Sequence, residues 1–161
     1  MNEYLFKFFE NNNLDIKNKK LTLAISTGVD SMALLFSFIE LQKIIPFEII
    51  VCHVNHNKRV ESVIEEEYIK DFCFKNNIKC YVEKLNFESS SNFQAVARNL
   101  RYQFFYEVMD KENSEYLFLA HHGDDLVETI LMRILRGSSL NGYSGIKKVS
   151  NFDNRIIVRP F

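Results

Sequence analysis

Cysteine is scarce in this chain, and a long apolar run is missing altogether. The three cysteines, Cys52, Cys73 and Cys80, are odd in number and form no Cys-X-X-Cys pair, which argues against a disulfide framework and a zinc site. Reduced, mostly buried thiols are the expectation. No apolar stretch reaches the roughly 18 residues of a membrane span, and Met1-Asn2-Glu3-Tyr4 lacks the basic start of a signal peptide. The chain is therefore expected to be cytoplasmic, with no membrane partner. An excess of charge is missing too, since 20 Lys and Arg face 21 Asp and Glu. The five glycines supply neither the three spaced glycines of a dinucleotide fingerprint nor the Gly-Lys-Ser/Thr of a Walker loop.

What is present suffices for one sizeable core: 161 residues, 47% of them apolar and 14% aromatic, point to one domain. The near-neutral total hides an asymmetry. Residues 131–161 hold Arg133, Arg136, Lys147, Lys148, Arg155 and Arg159 against Asp153 alone, a local +5 that leaves −6 for the rest. A basic edge able to meet phosphates and a set of scattered solvated side chains both fit that count.

Apolar runs at 21–25, 47–54, 78–85 and 116–120 alternate with helical patterns, the signature of successive βαβ units. The class is α/β, a Rossmann-like parallel sheet with helices on both faces. Helices are expected near 2–10, with Tyr4, Leu5, Phe8 and Phe9 covering one end of the core, and over 32–41, where Leu34, Leu35, Phe38 and Leu41 recur. Two more fill the crossover at 61–77 and the one after Asn92, a candidate N-cap. In this last helix Phe93, Val96, Ala97, Leu100, Phe104 and Val108 recur at helical spacing as the apolar residues, and Gln94, Arg98 and Arg101 read as the opposite face. Ligands of such sheets bind outside the carboxyl ends of the strands. The segments 26–31, 53–59, 86–91 and 121–125 are therefore the ones to weigh.

The run Ser26-Thr27-Gly28-Val29-Asp30-Ser31 follows a strand and opens a helix, which puts backbone N–H groups and two hydroxyls where anions are held. Taken alone, a capped helix with Asp30 complementing its dipole is the alternative to weigh against it. The run nevertheless resembles the PP-loop of the pyrophosphate-binding ATPases, Ser-Gly-Gly-X-Asp-Ser, whose cradle grips the β- and γ-phosphates of ATP. Thr27 stands at a glycine position, where its Cβ opposes a positive φ. The expectation is that the loop tolerates it and that its hydroxyl bonds a phosphate.

Further segments resemble one subfamily, the tRNA(Ile)-lysidine synthetases. Ala97-Arg98-Asn99-Leu100-Arg101-Tyr102 is similar to its Ala-Arg-X-X-Arg-Tyr element. Ala120-His121-His122-Gly123-Asp124-Asp125-Leu126-Val127-Glu128-Thr129 is similar to Ala-His-His-X-Asp-Asp-Gln-X-Glu-Thr, with Leu126 replacing glutamine. Arg136-Gly137, the Gly142 to Ile146 stretch and Arg159-Pro160 extend the match over essentially the whole chain. Asp125, Glu128 and Thr129 share a face near a helix start, and clustered carboxylates there suit magnesium. Capping by Asp124 and Asp125 is a sufficient alternative. A metal-dependent phosphohydrolase would want an Asp-X-Asp pair on an early strand, which the sequence lacks.

The resemblance implies a PP-loop ATPase fold of the adenine nucleotide alpha hydrolase type. It implies ATP held by Ser26, Thr27, Gly28, Val29, Asp30, Ser31, His53 and His121, with Val54 or Asn55 near the base or ribose. Mg2+ would sit on Asp30 and Asp125, and Asp30, Arg98 and Asp125 would be the catalytic residues. It also implies a tRNA(Ile) with a CAU anticodon and free L-lysine as substrates, with a homodimer one assembly open to it. Members generally continue into tRNA-gripping domains, so residues 1–161 are expected to be the N-terminal catalytic domain alone. Two alternatives stand beside this reading: tRNA thiolation, which typically needs paired cysteines, and a nucleotide-binding module without catalysis.

Overall fold

A computed structural model describes residues 2–55, 61–85, 93–120 and 147–161. The chain order is α1 (Asn2–Asn11), β1 (Lys20–Ala24), α2 (Val29–Gln42), β2 (Glu48–Asn55), α3 (Glu61–Lys75), β3 (Lys79–Lys84), α4 (Phe93–Glu112), β4 (Tyr116–Leu119), β5 (Val149–Phe152) and β6 (Arg155–Val158). The six strands form one sheet in the order β3-β2-β1-β4-β6-β5. All pairings are parallel except β5 with β6. The expected α/β parallel sheet is thus present with one antiparallel edge strand.

Helices cover both faces, so the central strands are apolar along their length rather than alternating. On one face α1 and α2 bring Leu5, Phe8, Phe9, Leu34, Leu35, Phe38 and Leu41 against Leu21, Leu23, Ile49, Val51 and Phe118. On the other, α4 lays Phe105, Val108 and Met109 over Ile50, Cys52, Leu117 and Leu119. Chain direction follows: β1 to β2 to β3 steps one way, and the return through α4 places β4 on the far side of β1. The strand order therefore reverses between β1 and β4, the position where such sheets bind ligands.

A chain with few glycines still has to end its helices, and asparagine does that work. Asn13, Asn77 and Asn113 follow α1, α3 and α4 with φ of 51°, 55° and 55°. In each case the next N–H reaches back five residues: Leu14 to Phe9, Ile78 to Cys73 and Ser114 to Met109, at 2.9, 2.9 and 2.8 Å. These are Schellman closures with Asn in the left-handed position, the one non-glycine side chain that commonly takes it.

Two sequence expectations change. The β5–β6 hairpin was not foreseen; it turns on Asp153 and Asn154, both at positive φ (47° and 61°), the requirement of a two-residue hairpin turn. The buried face of α4 differs in part from the expected one. Ala97 and Val108 are buried as expected, but Val96 and Leu100 are 44% and 39% exposed, and Phe105 and Met109 are buried instead. The aromatic-rich helix carries two competing apolar stripes, and contact with β2 and β4 selects the second. The proposed N-cap, Asn92, lies outside the described residues.

Candidate active site at the strand-order switch

Thr27, at φ 66°, makes the turn from β1 into α2 in the left-handed region that glycine favours. The strain is met by local bonding. Thr27 Oγ1 donates to the carbonyl of Ser26. Ser26 Oγ lies 3.2 Å from Ser31 Oγ, which accepts the Ser26 N–H at 3.2 Å and donates to the Gly28 carbonyl at 2.9 Å. A hydroxyl has one proton and two lone pairs, so Ser31 is saturated within the loop. The three hydroxyl protons of Ser26, Thr27 and Ser31 are thereby committed to the loop itself. What faces outward is main chain.

Three observations fit that outward face to an anion. Gly28, the N-cap of α2, makes no side-chain cap bond, so the N–H groups of the first turn point out of the helix end. Its φ of −67° suits any residue, and a Cβ there would meet nothing nearer than Ser26 Oγ at 3.5 Å. Nothing among the described residues requires glycine here, and the space they leave admits a close ligand. The third is Arg101, which lines the same cavity.

That cavity, about 250 Å3, opens at the carboxyl ends of β1, β2 and β4. Ile25, Val54, Phe105 and Leu119 give it apolar walls, and Ser26, Ser31 and Arg101 a polar end. Burial, with the like charge of Arg98 opposing it as well, pushes the pKa of Arg101 below its ordinary value. No carboxylate among the described residues pairs with it. A half-buried guanidinium without a counter-ion is a site for a phosphate. Arg101 was missed as a ligand residue because it read as part of a polar face. Its signal was the row Ala97, Arg101, Phe105, Met109, where one arginine interrupts an otherwise apolar stripe at four-residue spacing.

The remaining candidates fall in different places. Asp30 is partly exposed in the first turn of α2. Arg98 is exposed, 5.5 Å from the Tyr102 ring centroid, and lines an outer groove rather than the cavity. Val54 lines the cavity, whereas His53 is 2% exposed and points to the other face of β2. Its Nδ1–H donates to the carbonyl of Ile25 at 2.8 Å, steadying the residue that leads into the loop. Asn55 is buried and donates to Glu66 Oε2 at 2.8 Å. Around Glu66, the hydrogen bond from Lys70 comes first among the influences that hold its carboxyl at about 2. His121 and Asp125 lie outside the described residues. Among the described residues no three His, Cys, Asp or Glu side chains gather as a metal site, and no helix is long and apolar enough to cross a membrane.

Comparison with known proteins agrees with this geometry. The PP-loop domain family matches residues 1–161. The tRNA(Ile)-lysidine synthase of Streptococcus equi subsp. equi is 43% identical over 144 residues, which are 89% of this chain and 33% of that protein. That of Streptococcus pyogenes serotype M3 is 45% identical over 154 residues, 91% of this chain and 35% of that protein. The chain thus spans about a third of the length of the curated relatives it matches. Among solved structures, the U34-tRNA thiolase NcsA from Methanococcus maripaludis superimposes with a TM-score of 0.72 at 19% identity, covering 98% of this chain and 57% of that one. The FMN adenylyltransferase of Candida glabrata does so at 0.57 and 11%, covering 99% and 49%. At such identities the two structures speak for the fold.

Proposed function

The chain belongs to the PP-loop domain family, and from that premise we propose that it is the ATP-using catalytic domain of a cytoplasmic tRNA(Ile)-lysidine synthase. The substrates are ATP, free L-lysine and a tRNA(Ile) with a CAU anticodon. The O2 of the wobble cytosine attacks the α-phosphorus of ATP, the α–β bridging bond breaks and pyrophosphate leaves; the lysine amine then displaces AMP at C2. The described residues supply positioning and charge rather than a nucleophile. Main-chain N–H groups at the start of α2 receive the departing diphosphate, and Arg101 balances charge at the α-phosphate. Arg98, outside Tyr102, adds a second and more distant cation. Val54 and Ile25 border the base. Asp30 and Asp125 would hold Mg2+, which when bound neutralises phosphate charge.

The observation that supports this reading is Arg101, which pairs with no carboxylate among the described residues and lines one cavity with Ser26 and Ser31 of the loop. The choice of lysidine formation within the family rests on the 43% and 45% identities and on the motifs shared with those relatives. Thiolation by iron–sulfur chemistry is disfavoured by cysteine placement: Cys73 and Cys80 pack on one face of the sheet and Cys52 on the other. The test is to mix the purified protein with ATP, magnesium, lysine and unmodified tRNA and to follow pyrophosphate and AMP. Release of both, abolished in Asp30→Ala with its fold intact, supports the proposal. ATP binding without turnover would favour a nucleotide-binding module, and undiminished pyrophosphate release by Asp30→Ala would refute the metal assignment.

A further inference from the structure

Beside the nucleotide cavity lies the outer groove, walled by α4 and the β5–β6 hairpin and lined by Arg98, Tyr102, Tyr106, Phe152 and Arg159. Tyr102 borders both spaces, so the groove shares a wall with the cavity. Because α4 returns the chain between the parallel strands β3 and β4, Arg98 lies toward the carboxyl ends of the strands, as does Arg159 just after β6. Phe152 sits toward the other end, opposite Arg155 at the start of β6. From Arg98 to Tyr106 the helix rises about 12 Å, the length of about three stacked bases at about 3.4 Å each.

Its rings are fixed in place. Phe152 stacks on Tyr106 with centroids 5.5 Å apart and planes 19° from parallel, and the Arg155 guanidinium lies 4.8 Å from the same Tyr106 ring. Arg155 is itself held by Asp110 at 2.6 and 2.8 Å and by Asp153 at 2.9 Å. Phe152 nevertheless stays 55% exposed, and a ring immobilised in advance but open to solvent is a platform for stacking. The charge beside it suits phosphate. Arg98 and Arg159 pair with no carboxylate among the described residues, and Arg159 is aimed by its Nη1, which donates to the Lys147 carbonyl at 3.2 Å and to Ser150 Oγ at 3.3 Å. Of the two carboxylates that line the groove, Asp110 is engaged by Arg155 and Glu107 accepts from Gln103 Nε2 at 2.9 Å.

Rings and guanidiniums along one groove are the surface that unstacked RNA bases and their phosphates recognise. A cytidine that reacts at C2 has to leave its stack and enter the cavity, so its neighbours in the strand must emerge along a wall of that cavity. We propose that this groove holds the single-stranded nucleotides next to the reacting cytidine, with a base stacked on Phe152 and the linking phosphates on Arg98 and Arg159. This rests on the tRNA substrate of the proposed function and adds where its loop lies.

The experiment gives the intact protein a stem–loop RNA with a CAU loop, carrying 4-thiouridine at one loop position other than the cytidine at a time, and follows photolysis with trypsin. Cleavage after Arg101 and Lys111 puts Tyr102 and Tyr106 in peptide 102–111, and cleavage after Lys148 and Arg155 puts Phe152 in peptide 149–155. Crosslinks to one or both of these peptides are expected. In anisotropy titrations with the same RNA, Phe152→Ala should bind about tenfold more weakly and Phe152→Tyr within about twofold of the wild type, with ATP affinity unchanged in both. Arg159→Gln should lower the slope of log affinity against log salt by about one. Phe74→Ala, at an 82% exposed ring on α3, is the control and should change nothing. Crosslinks confined to other peptides, or Phe152→Ala binding as tightly as the wild type, overturn the groove; pyrophosphate released by that same protein would leave the proposed function standing. A wild-type protein that neither binds the RNA nor releases pyrophosphate overturns both.

Discussion

Ser31, on the first turn of α2, holds Ser26 at the end of β1: its Oγ accepts the Ser26 N–H at 3.2 Å while donating to Gly28 at 2.9 Å. The loop is therefore tied across its own base before any ligand arrives. Preorganisation of this kind lets main-chain N–H groups meet a phosphate without first being ordered. Ser31→Ala is expected to cost about 1 kcal/mol of stability and about tenfold in ATP affinity, the latter equal to roughly 1.4 kcal/mol. Calorimetric titration with ATP and urea unfolding measure the two effects. An unaltered dissociation constant would mean that the loop orders itself without the serine tie.

Thr27 carries the opposite signature, a β-branched residue at φ 66°. A left-handed L-residue costs roughly 1–2 kcal/mol, partly offset by the greater unfolded-state freedom of glycine. Thr27→Gly is accordingly expected to stabilise the protein by about 0.5–1 kcal/mol without weakening ATP binding. Urea unfolding reads the first change and titration the second. If the glycine variant were less stable, the bond from Thr27 to the Ser26 carbonyl would outweigh the strain.

Arg101 and Arg98 lie three residues apart on α4 yet differ in surroundings, one lining the cavity and the other exposed. A charge-assisted phosphate bond is worth about 1.5–3 kcal/mol. Arg101→Ala is expected to weaken ATP binding by about ten- to a hundredfold, and Arg98→Ala by no more than about threefold. Removing Arg101 also relieves a half-buried charge that pairs with no carboxylate among the described residues, so stability should hold or rise. Equal losses of affinity in the two variants would contradict the division.

Much of this was legible in the sequence because hydrophobic runs report burial directly. The strands β1 to β4 fall within about a residue of their apolar runs, and Leu5, Phe8 and Phe9 cover the core end as their spacing implies. The β5–β6 hairpin escaped because its strands are four residues each and β5 presents half-exposed and exposed side chains, leaving little pattern to read. At the site, the loop declared itself by composition, whereas Arg101 did not. A charged residue within a buried stripe is visible only once the stripe is known, and α4 offers two. His53 was legible as a strand-end residue but not as one facing away from the cavity, since face follows from register with β1 and a shift of one residue reverses it.

At the amino ends of the strands, Glu112 closes α4 and gathers Lys79 at 2.8 Å, Lys20 at 3.3 Å and the Tyr81 hydroxyl. The Lys79 hydrogen bond, foremost, and then that of Tyr81 hold its carboxyl at about 2, below its ordinary 4.5. Glu66 is lowered likewise, to about 2. A depressed carboxylate stabilises the fold fully above its unfolded value and loses that contribution as pH falls through the folded one. Stability should therefore decline between about pH 4.5 and 2. Glu112→Gln should start lower at neutral pH and decline less steeply, Glu66 keeping its own share of the slope. Tyr81 offers a second reading of the same contact, since its hydrogen bond to Glu112 raises the phenol above its ordinary 10. In the glutamine variant the tyrosinate absorbance of Tyr81 should appear at lower pH, nearer to 10. Urea midpoints from neutral pH to pH 2 with the same slope in both proteins would show that the cluster positions charge without storing stability.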